Sequence, residues 1–186
     1  MEHTLEDIIR IFNQCFEQEY NTKLEKGGEY PIYLPAFLDE NGTKSERSYN
    51  VIYFAREFYS SALHEISHWL VAGTERRKLE DFGYWYEPDG RSTERQREFE
   101  QVEVKPQAIE WVLATAAGFR YFASSDNLNG NPGDTQPFKH AVYEQVKVYA
   151  QRGYLPKRAE KLRKALTHFY GTEDKIDLEK FDVTKI

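Results

Sequence analysis

The chain holds one cysteine, Cys15. It therefore has no internal disulfide framework, and a cysteine-rich zinc module is excluded. Cys15 flanks a helical apolar stripe and reads as a small hydrophobe with a structural role. Long apolar runs are missing too: none approaches the roughly 20 residues that span a bilayer. Basic charge is in the minority, with 25 Lys and Arg against 31 Asp and Glu, a net charge of −6 and a pI near 5.5. That balance argues against a general nucleic-acid binder. Met1 to Asp7 lacks the basic segment and apolar core of a secretion signal. The expectation is a soluble, cytoplasmic protein with no membrane partner and no direct contact to nucleic acid.

Aromatic residues are plentiful at 15%, a load that disordered chains lack. At 186 residues the chain is long enough to bury a real core, and one domain over residues 1–186 is expected.

Leu5, Ile8, Ile9, Phe12 and Phe16 recur at helical spacing and predict a first helix from Thr4 to about Tyr20, with Thr4 as cap and Asp7 three residues on. Pro31-Ile32-Tyr33-Leu34-Pro35 reads as a short edge strand, and Tyr49 to Ala55 as a second strand paired with it. A second helix covers roughly Glu57 to Ala72, with Ala62, Ile66, Trp69 and Leu70 buried, and stops at Gly73. An aromatic loop follows to Gly90. A third helix runs from Ser92 or Thr93 to Ala117, and Pro106 inside it predicts either a kink or a junction of two helices. Two more helices are expected over about Phe138 to Gln151 and Lys157 to Tyr170, then a short acidic tail. Five helices and a strand pair make the fold class α+β, mostly helical, with a metal site between the second and third helices.

The sharpest chemical signal is His64-Glu65-Ile66-Ser67-His68. Residues i and i+4 stack on one helix face, so two imidazoles can meet one metal ion, with Glu65 beside them to handle a proton. The ordinary alternative is two histidines on a solvated face. Two of only five histidines falling within five residues weighs against it. His3, His140 and His168 read as surface residues, so the third ligand is expected to be a carboxylate of the third helix. Glu98, Glu100, Glu103 and Glu110 are the candidates. Pro106 cannot donate to the Val102 carbonyl, which loosens the helix beside Glu103 and favours that residue, with Glu100 second. Two His and a carboxylate suit Zn²⁺ in a hydrolase, such as a small metalloprotease or a metal-dependent RNase, or Fe²⁺ in an O₂-using hydroxylase. Spacing does not separate them, and on the motif alone the zinc hydrolase is the commoner case.

Longer motifs point further. His64 to Trp69, Asp81-Phe82-Gly83-Tyr84-Trp85-Tyr86, Pro88-Asp89-Gly90-Arg91 and Val102-Glu103-Val104-Lys105-Pro106-Gln107-Ala108 resemble the bacterial elongation factor P hydroxylase family in order and spacing. Pro31 to Pro35 and Ser125-Asp126-Asn127-Leu128 fit it as well, while Asp39 to Arg47 and the tail depart from it. The resemblance implies an oxidoreductase, a monooxygenase that hydroxylates the β-lysylated lysine of elongation factor P in translation. It implies His64, His68 and Glu103 as metal ligands, Fe²⁺ as the metal (with Zn²⁺ or another divalent ion as isolated), O₂ as co-substrate and Glu65 as proton handler. A protein substrate requires an open groove. Tyr84 and Trp85 of the aromatic loop can hold its lysyl ammonium by cation–π contact, and Asp126 by charge. Six Lys and Arg against one Glu between Gln151 and Tyr170 can steer an acidic partner, although such a stripe is more often a solvated face.

Overall fold

A computed structural model describes residues 2–28, 30–39, 41–55, 58–83, 91–124 and 134–186. Helix α1 spans Leu5–Tyr20, and Thr4 caps it by accepting from the Asp7 N–H at 3.2 Å. Strand β1 (Thr22–Lys26) follows directly, then β2 (Ile32–Leu34) and β3 (Asn50–Phe54). Helices α2 (Tyr59–Val71), α3 (Thr93–Ala117), α4 (Gln136–Arg152) and α5 (Lys157–Tyr170) complete the main elements. The mostly helical α+β expectation holds. Among the described residues, no helix is long and apolar enough to cross a membrane.

The sheet has the order β1-β3-β2. The expected pairing of the two β-rich pieces is present, antiparallel, with Tyr33 opposite Ile52. β1 was not expected; it pairs parallel with β3, Leu24 opposite Ile52. Its sequence, Thr-Lys-Leu-Glu-Lys, has one apolar residue and hides a strand on propensity alone. Its outer edge is held by α1: the Asn13 side chain accepts from the Leu24 N–H at 2.7 Å and reaches back to the Leu24 carbonyl. That satisfies edge groups which would otherwise stay open.

α2 sits where it does because of one side chain. Trp69 is fully buried, its ring 5.4 Å from Phe12, 4.9 Å from Phe16 and 5.6 Å from Tyr20. Ala62, Ile66 and Leu70 complete the predicted apolar stripe, all buried. The same end of α2 is clamped by Arg158 of α5, which donates to the carbonyls of Trp69 at 3.0 Å and Leu70 at 3.1 Å. These carbonyls lie in the last turn, where a helix lacks internal donors and where a cation suits the dipole. The cationic stripe of α5 is thus partly internal. Arg158 is half-buried, and Arg163 is 3% exposed, bonded to Glu160 and Asp174.

α3 is a single helix that continues through Pro106, so no junction of two helices occurs there. Gly118 ends it at φ 67, a left-handed conformation that favours glycine. Its C-terminal half is buried almost all round, and it packs on α2, α4 and α5. The tail is more than an acidic appendage. Ile176 and Phe181 are buried, Phe181 edge-on to Trp111 at 5.3 Å. His140 and His168 are exposed as expected, but His3 is not. Its ring is half-buried among Tyr59, Phe119 and Tyr170, and its Nε2 meets the Ala117 carbonyl at 2.7 Å.

Candidate metal centre

α2 and α3 lie side by side and antiparallel, since His64 faces Glu110 and His68 faces Glu103. One turn separates the two histidines, and their Nε2 atoms stand 3.2 Å apart. Glu103 closes the triangle, with Oε1 3.2 Å from His68 Nε2 and Oε2 3.9 Å from His64 Nε2. One donor atom from each of the three lies within 4.8 Å of the others. Glu103 is fully buried and His68 is 8% exposed.

Of the four carboxylates considered for this position, Glu103 alone meets both imidazoles. Glu98 is exposed and pairs with Arg95 at 3.0 Å, as anticipated for a solvated face. Glu100 is half-buried and accepts from Gln96 at 3.3 Å. Glu110 is buried but lies behind the triangle, 2.9 Å from His64 Nδ1. Glu65 is half-buried on α2 beside His64. Tyr84, Trp85 and Asp126 lie outside the described residues. Asp81, in the 3-10 turn Glu80–Gly83, takes φ 45 and accepts the Tyr33 N–H at 2.8 Å, which ties the chain after α2 to β2.

Sequence reasoning assigned no role to Gln107, which supports the triangle. Its amide nitrogen donates to Glu103 Oε2 at 3.1 Å and to the Ser124 carbonyl at 2.7 Å. Its amide oxygen accepts from the Tyr121 hydroxyl at 2.8 Å and the Ser124 N–H at 3.1 Å. Two donors on one end and two acceptors on the other leave one workable orientation of the amide. A signal was present: Glu103, Gln107 and Glu110 stand at i, i+4 and i+7, three polar residues on one face of a helix half that is mostly apolar.

The electrostatics follow from burying these groups together. Burial raises the Glu103 carboxyl, but His68 and then His64 outweigh it and bring its pKa down to about 2. Burial works against a charged His64, yet the Glu110 carboxylate, with help from Glu103 and Glu65, holds its pKa well above the usual value. The Glu65 carboxyl is pushed up by burial. The Glu103 carboxylate therefore stays ionised in the interior, where a lone charge is costly, and His64 holds a proton that a cation would displace. Two imidazole nitrogens and a carboxylate oxygen are also the ligand types preferred by divalent iron or zinc in open sites. The residues fit such an ion.

A model of the elongation factor P hydroxylase family matches residues 11–181. The chain belongs to this family. It is 78% identical over 186 residues, the whole of both chains, to the elongation factor P lysine hydroxylase of Haemophilus influenzae. The match includes α2, α3 and every residue of the His64, His68 and Glu103 triangle.

Proposed function

We propose that the chain hydroxylates the modified lysine of elongation factor P, with His64, His68 and Glu103 holding a divalent iron. The observation that carries this reading is the convergence of those three donors between two helices of a chain that belongs to a hydroxylase family. Neither the family nor the relative carries a hydrolase name, so a zinc hydrolase gains no support beyond the bare motif.

Hydroxylation puts one oxygen atom into a carbon–hydrogen bond. It uses O₂, two electrons from an external reductant and two protons, and releases water. Iron in this donor set supplies the open coordination positions and the redox change that activation of O₂ needs. The protein's own part is threefold. Glu103, His64 and His68 fix the ion against two packed helices. Glu65, whose carboxyl is pushed up by burial, handles a proton at the edge of the centre. Tyr84, Trp85 and Asp126 hold the lysyl ammonium, a role supported by side-chain chemistry. A cytoplasmic location belongs to this reading, because the substrate is part of the translation machinery.

The test is direct. Iron-loaded protein, prepared without oxygen, is mixed with β-lysylated elongation factor P, ascorbate and O₂, and the substrate is weighed by mass spectrometry. A gain of about 16 Da on the modified lysine is expected from oxygen insertion by a metal oxygenase. His68→Ala and Glu103→Ala should abolish both metal binding and the gain while the chain stays folded. No gain with the iron-loaded wild type refutes the reading.

A further inference from the structure

The face of α3 that carries Glu103 also carries a second buried acid. Glu110 is 7% exposed, and among the described residues its one hydrogen bond runs to His64 Nδ1 at 2.9 Å. No lysine or arginine of the described residues pairs with it. We propose that Glu110 is a positioning residue of the centre: its carboxylate takes the Nδ1–H of His64, so that the ring offers Nε2, and Nε2 alone, to the metal. This goes beyond the three ligands and rests on the reading that they hold an ion.

A neutral imidazole has one N–H and one lone pair, and the partner of the N–H decides which nitrogen is which. The nitrogen left free by Glu110 is the correct one, because His64 Nε2 faces His68 Nε2 at 3.2 Å and Glu103 at 3.9 Å. Helix geometry makes the arrangement possible. Glu103 and Glu110 are seven residues apart, about two turns on one face, so α3 presents an acid to each edge of a ring lying across it. The choice of ring also makes sense. The His68 side chain is 8% exposed, whereas that of His64 is 17% exposed and so has less of its surface covered by packing. A buried carboxylate is costly, and an uncharged acceptor would satisfy a structural imidazole as well. A carboxylate also raises the basicity of the imidazole as a ligand, which a neutral acceptor does less.

Zinc is the probe, because it is diamagnetic and suits the same donors. Its affinity is measured by competition with a chromophoric chelator for wild type, E110A, E110Q and E103A. The His64 ring is followed in the zinc-loaded proteins by long-range proton–nitrogen NMR. The wild type is expected to show zinc on Nε2 and a slowly exchanging, low-field Nδ1 proton. E110A should lose that proton to exchange and bind zinc about 10–100-fold more weakly. E110Q keeps an acceptor, so the proton should persist at higher field with a smaller loss of affinity. Should E110A not fold, E110Q decides, and an unmoved proton with unchanged affinity overturns the proposal. Zinc on Nδ1 in the wild type overturns it as well. Wild-type affinity in E110A with none in E103A rejects Glu110 and spares the three-ligand reading. Wild-type affinity in E103A rejects the three-ligand reading itself.

Discussion

Replacing Gln107 by alanine tests whether the centre is held from behind as the structure implies. The substitution removes four hydrogen bonds at once, one to a carboxylate and three to neutral groups. The two to the Ser124 backbone are partly buried, and water can replace them. The other two are not so easily replaced, since Glu103 is fully buried and Tyr121 is 5% exposed. A hydrogen bond to a charged group is worth about 1.5–3 kcal/mol and a neutral one about 0.5–1.5, so the metal-free protein should lose about 2–4.5 kcal/mol. Freed from the amide, the Glu103 carboxylate can rotate, and metal affinity should fall about 10–100-fold. Urea unfolding in a chelator gives the first quantity, and calorimetric titration with Mn²⁺ gives the second. Gln107→Glu sharpens the test. It keeps the size but sets a second oxygen where the amide nitrogen now stands 3.1 Å from Glu103 Oε2. It should be at least as damaging as alanine. A stability loss under about 0.5 kcal/mol together with unchanged affinity would refute the idea that this amide orients the ligand, since that is the scale of an inert surface change.

Two further outcomes are expected away from the donors. Arg158→Ala should cost about 2–3 kcal/mol in urea unfolding, because it uncovers the last carbonyls of the helix that carries both histidines. Arg158→Lys should recover only part, since one ammonium cannot reproduce the planar fork, and full recovery would argue that charge alone matters. At the start of α5, Glu160 accepts from Arg163 and from the Leu155 N–H. Burial raises its carboxyl, but these donors outweigh burial and hold it below the usual 4.5. A carboxyl lowered in the folded state stabilises the protein above its unfolded pKa, and this share is lost as pH falls through the folded value. Glu160→Gln should therefore flatten the decline of stability below about pH 4.5, and an unchanged acid profile would show that the pair contributes nothing.

Much of the centre was legible in the linear order of residues. Two histidines four apart must share a helix face, whatever the protein around them. The apolar stripe of Ala62, Ile66, Trp69 and Leu70 determined which face of α2 turns inward. Pro106, by loosening the helix beside it, favoured Glu103 among the four acids, and Glu103 is the one that meets both imidazoles. The parts that stayed hidden are those that depend on a partner distant in sequence. β1 has hardly any strand pattern and exists because β3 and Asn13 complete its hydrogen bonds. The tail reads only as short and acidic, yet Phe181 finds Trp111 from 70 positions away. Arg158 looks like a surface cation until the end of α2 is brought against it.

By itself, the order of amino acids determined a helical protein with two imidazoles on one helix face and a set of acids on another helix. It also determined the family, because motifs spread along the whole chain match in order and spacing. Only the tertiary structure decided which acid does what. Glu98, Glu100, Glu103 and Glu110 are chemically alike. Their roles diverge because antiparallel packing of α2 on α3 puts Glu103 before both imidazoles and Glu110 behind one of them. The same packing leaves Glu98 in water with Arg95. A local pattern can fix the face of a helix on which a side chain lies. Which groups meet across the interface depends on how two helices pack, and that is set by the whole core, Trp69 and its ring of aromatics foremost.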